Sequence, residues 1–481
     1  MTFTRRVVSG TSQLTFSNGV VRLLAIVTMP ILTGLLSPHA YGVAALAGTI
    51  ISLASVLALA GMDTSYLRAY HSAQPPNSAD AEHFCWRFTI SSALPTGALA
   101  ALAWYFLAGD SVDQDRGLAI LVAMGVVFSV VSTMAQVRAL LAGRHRAMAV
   151  SIVISGVIGA AASIGIALWR QDALALLIPL VLGYLIPVLL LGTPPIFGLT
   201  KRSDLTWDEG AAIVKIGLAG IVTAPMYWLL SSSDRWFLQH YDGAESVGIY
   251  SIGYSVAIIG MMVNTAVMTV WQPEAAREYE EDRARAPGTL GKLMSRLVVA
   301  MAIIWLAATA AGGDIVRWLA NERFHAAAGY VPYIAGGVFF YGLLRLANTG
   351  LLLAKQLQWS AFWWLLGGLV CLVLNLLLVP RYGGMGAAVT QSISFAFIAV
   401  GIFATAQTKF RILLDWGRLA AVMLVVLAAG AFLERPWHAA PFFSLLMKLP
   451  IGIAVAVIVT WMTAPDWCAK AVDHLRRRVF R

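Results

Sequence analysis

The sequence predicts an all-α integral membrane protein of about fourteen transmembrane helices, and three observations predict it. First, 59% of the 481 residues are apolar and only 12% are charged, about half the charged share of a soluble globular chain. A folded chain this poor in polar residues has too little material to cover its surface against water, so lipid is the solvent for much of it. Second, the apolar runs are continuous over about 20 residues, the length a helix needs to cross about 30 Å of hydrocarbon. Barrel strands would be about 10 residues long and would alternate in polarity. Third, Lys and Arg are distributed unequally between alternate connectors, as expected of a multi-pass protein.

The spans follow in order. Arg5 and Arg6 precede an apolar stretch that is too long for a signal peptide, carries Arg22 and has no small-residue cleavage pattern, so it reads as an uncleaved first helix. Spans are expected near 13–35, 41–67, 87–108, 117–141, 147–168, 172–193, 213–235, 244–270, 291–312, 330–354, 359–380, 384–407, 415–433 and 448–464. The longer connectors are 68–86 (with Pro75 and Pro76), 194–212, 271–290 and 313–329, none large enough for a soluble domain. Pro30, Pro38, Pro95, Pro179, Pro187, Pro225 and Pro332 fall in or beside spans, where they loosen the helix backbone and permit bending.

With the N-terminus placed in the cytoplasm, connectors and flanking span ends on that side collect 25 Lys and Arg, the opposite side 8. Arg22, inside a span, completes the 34. The bias supports an even number of spans with both termini cytoplasmic. It also explains the net charge of +10 through contact with anionic headgroups, with no need of nucleic acid. The basic tail Arg476-Arg477-Arg478 has the same reading.

An internal repeat is visible at two helix starts, Ser37-Pro38-His39-Ala40-Tyr41-Gly42-Val43 and Gly243-Ala244-Glu245-Ser246-Val247-Gly248-Ile249. Gly42 and Gly248 are offset by 206 residues. Six spans lie between equivalent points, so the halves share one orientation and are related by an axis along the membrane normal. The expected organisation is an N-terminal six-helix lobe over 1–200 and a C-terminal six-helix lobe over 201–410 around a central cleft. Two additional helices and a basic tail fill 411–481.

Polar residues inside the spans carry the candidate site. Arg22 lies near the middle of the first span, and Arg345 about nine residues inside the tenth. A charge at the bilayer centre costs on the order of 3 kcal/mol on insertion scales and so usually faces the bundle interior or a water-filled cavity. Arginine suits phosphate, because its planar fork bonds in bidentate fashion and stays charged. The two therefore point to a cleft for an anion. Against this stand snorkelling of Arg345 to the interface and a structural pairing of Arg22 with a neighbouring helix. Asp63 and Arg68, near the end of the second span, read either as a gate or proton-coupling pair or as an interfacial salt bridge; Glu274 and Arg277 occupy the corresponding place in the second half. Asp234 and Arg235 end the seventh span, as an outer gate or as headgroup-level charges. Asn264, Asn348 and Asn375 are polar cleft candidates whose default role is interhelical hydrogen bonding.

Catalytic and metal signatures are missing. There is no Walker-type loop, no His-Glu-x-x-His and no cysteine pair for metal, and no nucleophile-and-base motif. Cys85, Cys371 and Cys468 form no disulfide framework. Asp110, Asp113 and Asp115 read as a solvated outer loop. No catalytic residue, resident cofactor or metal ligand is expected.

Several stretches resemble the bacterial polysaccharide flippases. They are Ser233-Asp234-Arg235-Trp236-Phe237-Leu238 through Gly243 to Ser251, Leu353-Ala354-Lys355, and Asn375-Leu376-Leu377-Leu378-Val379-Pro380-Arg381-Tyr382-Gly383-Gly384-Met385-Gly386. Leu36-Ser37-Pro38 with Tyr41-Gly42, Gly61-Met62-Asp63, Leu67-Arg68-Ala69-Tyr70 and the segment Arg138 to Arg146 fit the same pattern. The family is that of the O-antigen and exopolysaccharide (Wzx-type) translocases. It lies within the superfamily that also holds MATE-type multidrug exporters and the lipid II flippase. The resemblance spans roughly residues 10–430. It implies a MATE-like fold, alternating access and an undecaprenyl-diphosphate-linked oligosaccharide as cargo, carried from the cytoplasmic to the periplasmic leaflet of a bacterial inner membrane. It also implies H+ or Na+ coupling and work beside a polysaccharide polymerase and export machinery.

Three alternatives stay open at this stage. A multidrug or small-molecule antiporter on the same fold would use an acidic or aromatic cleft, with Trp228, Trp236, Trp271 and Trp364 as linings, although such tryptophans usually form interface belts. A membrane sugar polymerase or ligase would need a large outer connector, which is not seen. A scaffold would have no reason to bury arginines at mid-bilayer.

Overall fold

The computed structural model describes residues 3–70, 78–107, 116–193, 207–218 and 223–463. Asp110, Asp113, Asp115, Cys468, the pair Pro75-Pro76 and the Arg476-Arg477-Arg478 tail lie outside the described residues. Every regular element described is helical. They are α1 (Phe3–Leu35), α2 (Pro38–Leu59), α3 (Met62–Tyr70), α4 (Ser78–Leu107), α5 (Arg116–Leu141), α6 (His145–Trp169), α7 (Leu174–Leu191), α8 (Trp207–Leu218), α9 (Thr223–Ser232), α10 (Asp234–Ala257) and α11 (Gly260–Glu281). After them come α12 (Ala286–Leu319), a 3₁₀ turn (Glu322–Gly329), α13 (Val331–Leu353), α14 (Gln358–Lys409), α15 (Trp416–Leu433) and α16 (Pro441–Thr463).

Eleven described helices are long and apolar enough to cross a membrane, and a twelfth candidate is the bent pair Thr223–Ala257 and Gly260–Glu281, whose parts meet at 42°. Two of these are too long for one crossing. The 52-residue α14 would be about 78 Å long if straight, more than twice the hydrocarbon thickness. It reverses at Gly383, whose φ of 51° and ψ of −131° are backbone values that favour glycine. The assembly from Thr223 to Glu281 breaks at Gly243, with φ 82° and ψ 174°. Counting each as two crossings brings the twelve to fourteen. Large apolar side chains such as Phe106, Leu168 and Trp169 stand exposed on these helices, where lipid replaces water as their solvent.

The chain forms two compact units, Met1–Gly248 and Ile249–Arg481. In the first, α1 packs on α6, α6 on α7, α4 on α5, and α2 on both α4 and α5. The start of α2 follows from its sequence: Ser37 caps it, accepting from the Ala40 N–H at 3.2 Å, and Pro38 fills the first turn. The second span, expected as one helix over 41–67, is instead α2 and α3, because Ala60 and Gly61 turn through positive φ. Residues 213–218 and 223–248 then run antiparallel to 38–65. Ser65 Oγ donates to the Ile213 carbonyl at 2.7 Å, Trp228 Nε1 donates to the Thr49 carbonyl at 2.9 Å, and Gly248 faces Pro38.

This last contact is reciprocal. A Cβ on Gly42 would lie 1.7 Å from the Ala244 carbonyl oxygen, and a Cβ on Gly248 would lie 1.8 Å from that of Pro38. An offset of 206 residues relates Gly42 to Gly248 and Pro38 to Ala244 alike. The two helix starts read from sequence as repeat equivalents therefore meet each other, backbone on backbone.

In the second unit α13 lies along α14, and α12 packs on α13, α15 and α16. Chain 250–271 runs parallel to 330–349: the tilted rings of Tyr250 and Tyr330 lie 6.1 Å apart, Asn264 Nδ2 donates to the Val338 carbonyl at 2.7 Å, and Trp271 Nε1 donates to Thr349 Oγ1 at 2.8 Å. The core centres on Met268, Trp271, Met294, Leu306, Phe339 and Leu346.

Candidate functional site

Arg22 is exposed on α1, next to Val21, which packs on Gly156 of α6. Arg345 is half-buried on α13, its guanidinium carbon 5.9 Å from the centroid of the Tyr341 ring, close enough for a cation–π attraction. Neither arginine forms an ion pair among the described residues. Arg22 belongs to the first unit and Arg345 to the second.

Asp63 is half-buried in the first turn of α3 and Arg68 is exposed in its last turn. No ion pair joins them among the described residues. The salt bridge formed in this part of the unit is instead Arg138 Nε to Glu82 Oε1 at 2.8 Å. Glu274 is exposed on α11, and its neighbour Arg277 pairs with Glu281 at 2.7 Å.

Asp234 and Arg235 do not sit at a span end. The helix started by α9 continues through them to the break at Gly243. Both are buried, at 2% and 7% exposure. Arg235 NH1 lies 3.6 Å from Asp234 Oδ1 and donates to the Ser231 carbonyl at 3.0 Å, and Asp234 Oδ1 accepts the Arg235 N–H at 2.9 Å. The approach of the two opposite charges offsets part of the cost of burying them.

Of the three asparagines, Asn264 has the interhelical bond already described. Asn375 is fully buried and donates to Cys371 Sγ at 3.5 Å, while its Oδ1 has no hydrogen-bond partner. Asn348 Oδ1 is likewise buried without one. Sequence reasoning missed three more such oxygens, Thr390 Oγ1, Gln391 Oε1 and Ser394 Oγ. The two arms of α14 run antiparallel from Gly383: Gly386 meets Leu378, Gly367 meets Ile398, and Trp363 Nε1 donates to Thr405 Oγ1 at 2.8 Å. That register puts Asn375 opposite Thr390 and Cys371 opposite Ser394. A buried oxygen without a hydrogen-bond partner is costly.

A second cluster was also missed. Asp314 of α12 and Lys448 of α16, 1% and 2% exposed, pair at 2.7 Å. Ser444 Oγ donates to the same carboxylate oxygen at 2.9 Å, Lys448 Nζ also donates to the Ala310 carbonyl at 3.1 Å, and Arg317 approaches the other oxygen at 3.6 Å. Lys448 read from sequence as an ordinary outer-side cation; it is the buried anchor of α16.

The four tryptophans weighed as cleft linings or interface-belt residues differ in burial. Trp271 and Trp364 are buried. Trp228 and Trp236 are half-buried, with Nε1 bonds to the Thr49 carbonyl and to Thr49 Oγ1, both at 2.9 Å. No group of three or more metal-ligating His, Cys, Asp or Glu side chains occurs among the described residues.

Comparison of the whole fold finds the inward closed form of the lipid II flippase MurJ, with a TM-score of 0.70 at 13% identity, covering 95% of this chain and 99% of that one. An inward-facing multidrug resistance MATE transporter of the MOP superfamily aligns with a TM-score of 0.55 at 13% identity, over 83% of this chain and 94% of its own. A mutant form of the Vibrio cholerae MATE transporter VcmN gives 0.50 at 11% identity, over 85% and 97%. At these identities the likeness is one of fold, and it makes the chain a multi-pass helical membrane protein of the flippase and MATE architecture. A search of curated protein sequences finds no match. The model of one sequence family, described as polysaccharide biosynthesis protein, matches residues 31–328; the match covers more than half of the chain, and the protein belongs to that family.

Proposed function

We propose that the protein is a flippase that carries a polyprenyl-diphosphate-linked oligosaccharide across the bacterial inner membrane, from the cytoplasmic to the periplasmic leaflet, for polysaccharide assembly. The observation that carries this reading is membership of a polysaccharide biosynthesis family by a chain whose fold matches a lipid II flippase along 95% of its length. The fit to a MATE transporter is poorer and covers less of the chain, which ranks drug antiport second.

In this reading both termini are cytoplasmic, which the 25-to-8 distribution of basic residues supports. Cargo enters from the cytoplasm with its lipid tail left in the bilayer. Arg22 and Arg345, which form no ion pair among the described residues, supply positive charge to the diphosphate through bidentate bonds. Asp63, Arg68, Asp234, Arg235 and Glu274 serve as gate or coupling groups, and Asn264, Asn348 and Asn375 as polar contacts. An ion gradient, H+ or Na+, drives the cycle.

The test is movement of a fluorescent polyprenyl-diphosphate oligosaccharide across proteoliposome membranes, for wild type and for Arg22→Ala with Arg345→Ala. Movement by wild type and its loss in a well-folded double variant are expected. Equal movement in both would discard the arginine site and keep the flippase. No movement of lipid-linked sugars, with gradient-driven export of cationic dyes, would replace the flippase by an antiporter.

A further inference from the structure

The second unit holds a cavity of about 560 Å³ that the transport reading does not use. It lies at one end of the bundle, where the first turns of α12, the connector 410–415, the start of α15 and the last turn of α16 meet. Lys292 and Arg296 of α12 and Arg418 of α15 line it, with one acidic residue, Asp415, against three cations. Asp415 is committed twice over: it caps α15 by accepting the Arg418 N–H at 3.2 Å, and it pairs with the Arg418 guanidinium at 3.1 Å. Lys292 is exposed and forms no ion pair among the described residues.

The walls are fixed. The connector crosses α12 so closely that a Cβ on Gly291 would lie 1.9 Å from the Leu413 carbonyl oxygen. The Leu413 N–H donates to the Pro287 carbonyl at 3.2 Å. The Gln407 amide holds Ile412 from both sides, accepting its N–H at 2.9 Å and donating to its carbonyl at 3.0 Å. Gly288 faces open space, with nothing within 4 Å of where its Cβ would be. The surroundings are apolar and outward-facing: Leu413 and Trp416 beside the connector and Trp461 on the last turns of α16 are all more than half exposed. Tryptophan at such a position marks the level of the headgroups.

We propose that this cavity is a binding site for the phosphate of an anionic phospholipid, taken from the surrounding bilayer at its basic, cytoplasmic face. Lys292 and Arg296 meet the phosphate beside the Arg418–Asp415 pair, the rigid connector shapes the opening, and the exposed apolar residues accept the acyl chains. A basic pocket between transmembrane helices on that face is suited to anionic headgroups. The adjoining lipid-facing surface favours a membrane lipid over free phosphate. The lipid would bridge α12 to α15 and α16. The assignment is independent of the cargo.

The test uses the full-length protein, purified in detergent and titrated with phosphatidylglycerol, cardiolipin, phosphatidylcholine or inorganic phosphate. Retention is read by native mass spectrometry and stability by thermal unfolding. Anionic lipids are expected to be retained and to raise the unfolding temperature, with phosphatidylcholine and millimolar phosphate doing neither. Lys292→Gln with Arg296→Gln should weaken anionic lipid binding about thirtyfold, since each cation near such a headgroup contributes about a factor of five. Gly288→Leu, which keeps every charge and fills the open space, should also abolish retention. Lys355→Gln with Lys409→Gln, outside the cavity, should change nothing. Equal retention by the cavity variants, equal loss in the Lys355 and Lys409 control, or full stabilisation by inorganic phosphate alone would each overturn the site.

Discussion

Asp234 and Arg235 in the first unit are chain neighbours, whereas Asp314 and Lys448 in the second are 134 residues apart. Both pairs are buried nearly to the same degree, yet they hold different things. In the first pair, Arg235 also bonds to Ser231 one turn back on its own helix. The second pair bolts α16 to α12, with Ser444 and the Ala310 carbonyl completing the shell. A local pair makes burial tolerable, while a distant one fixes which helices are neighbours.

The sharpest way to break that contrast is Lys448→Met. It strands the Asp314 carboxylate and should lower stability by about 3–5 kcal/mol, read as a fall in unfolding temperature and as new protease cleavage between α15 and α16. Adding Asp314→Leu should recover most of the loss, because an apolar pair of similar volume replaces a buried ion pair at little net cost. No recovery in the double variant would mean that packing, and not charge, docks α16. Arg235→Gln should cost less, about 1.5–3 kcal/mol for the charged hydrogen bond, since Asp234 keeps its bond to the backbone N–H of residue 235. It should leave the protease pattern unchanged. Trp271→Phe and Trp228→Phe compare neutral bonds in the two units. Each should shift stability by roughly 0.6–1 kcal/mol, the range for interhelical hydrogen bonds in membranes. Ser37→Ala, which removes only the cap on α2, should lower the unfolding temperature by the smallest amount, on the order of 0.5–1 kcal/mol in stability.

The same contrast explains what could be read from the sequence. Spans, their order and the loss of helix at Gly243 and Gly383 follow from local composition and from glycine. Asn375 stood out as an amide in an apolar run. Thr390 and Ser394 did not, because a hydroxyl in an apolar helix usually bonds to its own backbone and signals nothing. Asp314 and Lys448 looked like unrelated charges near two span ends; only the packing of α12 on α16 makes them a pair. The indole bonds were hidden for a related reason: an indole N–H can be satisfied at the interface or inside, and only the packing of the helices brings Trp236 to Thr49 and Trp271 to Thr349.

The crossing of Gly42 and Gly248 has a consequence for how such a chain can change. Each glycine makes room for the backbone of the other's helix, so a methyl group added at either position pushes on the same junction from one side or the other. At this junction neither helix start can acquire a side chain without displacing the other.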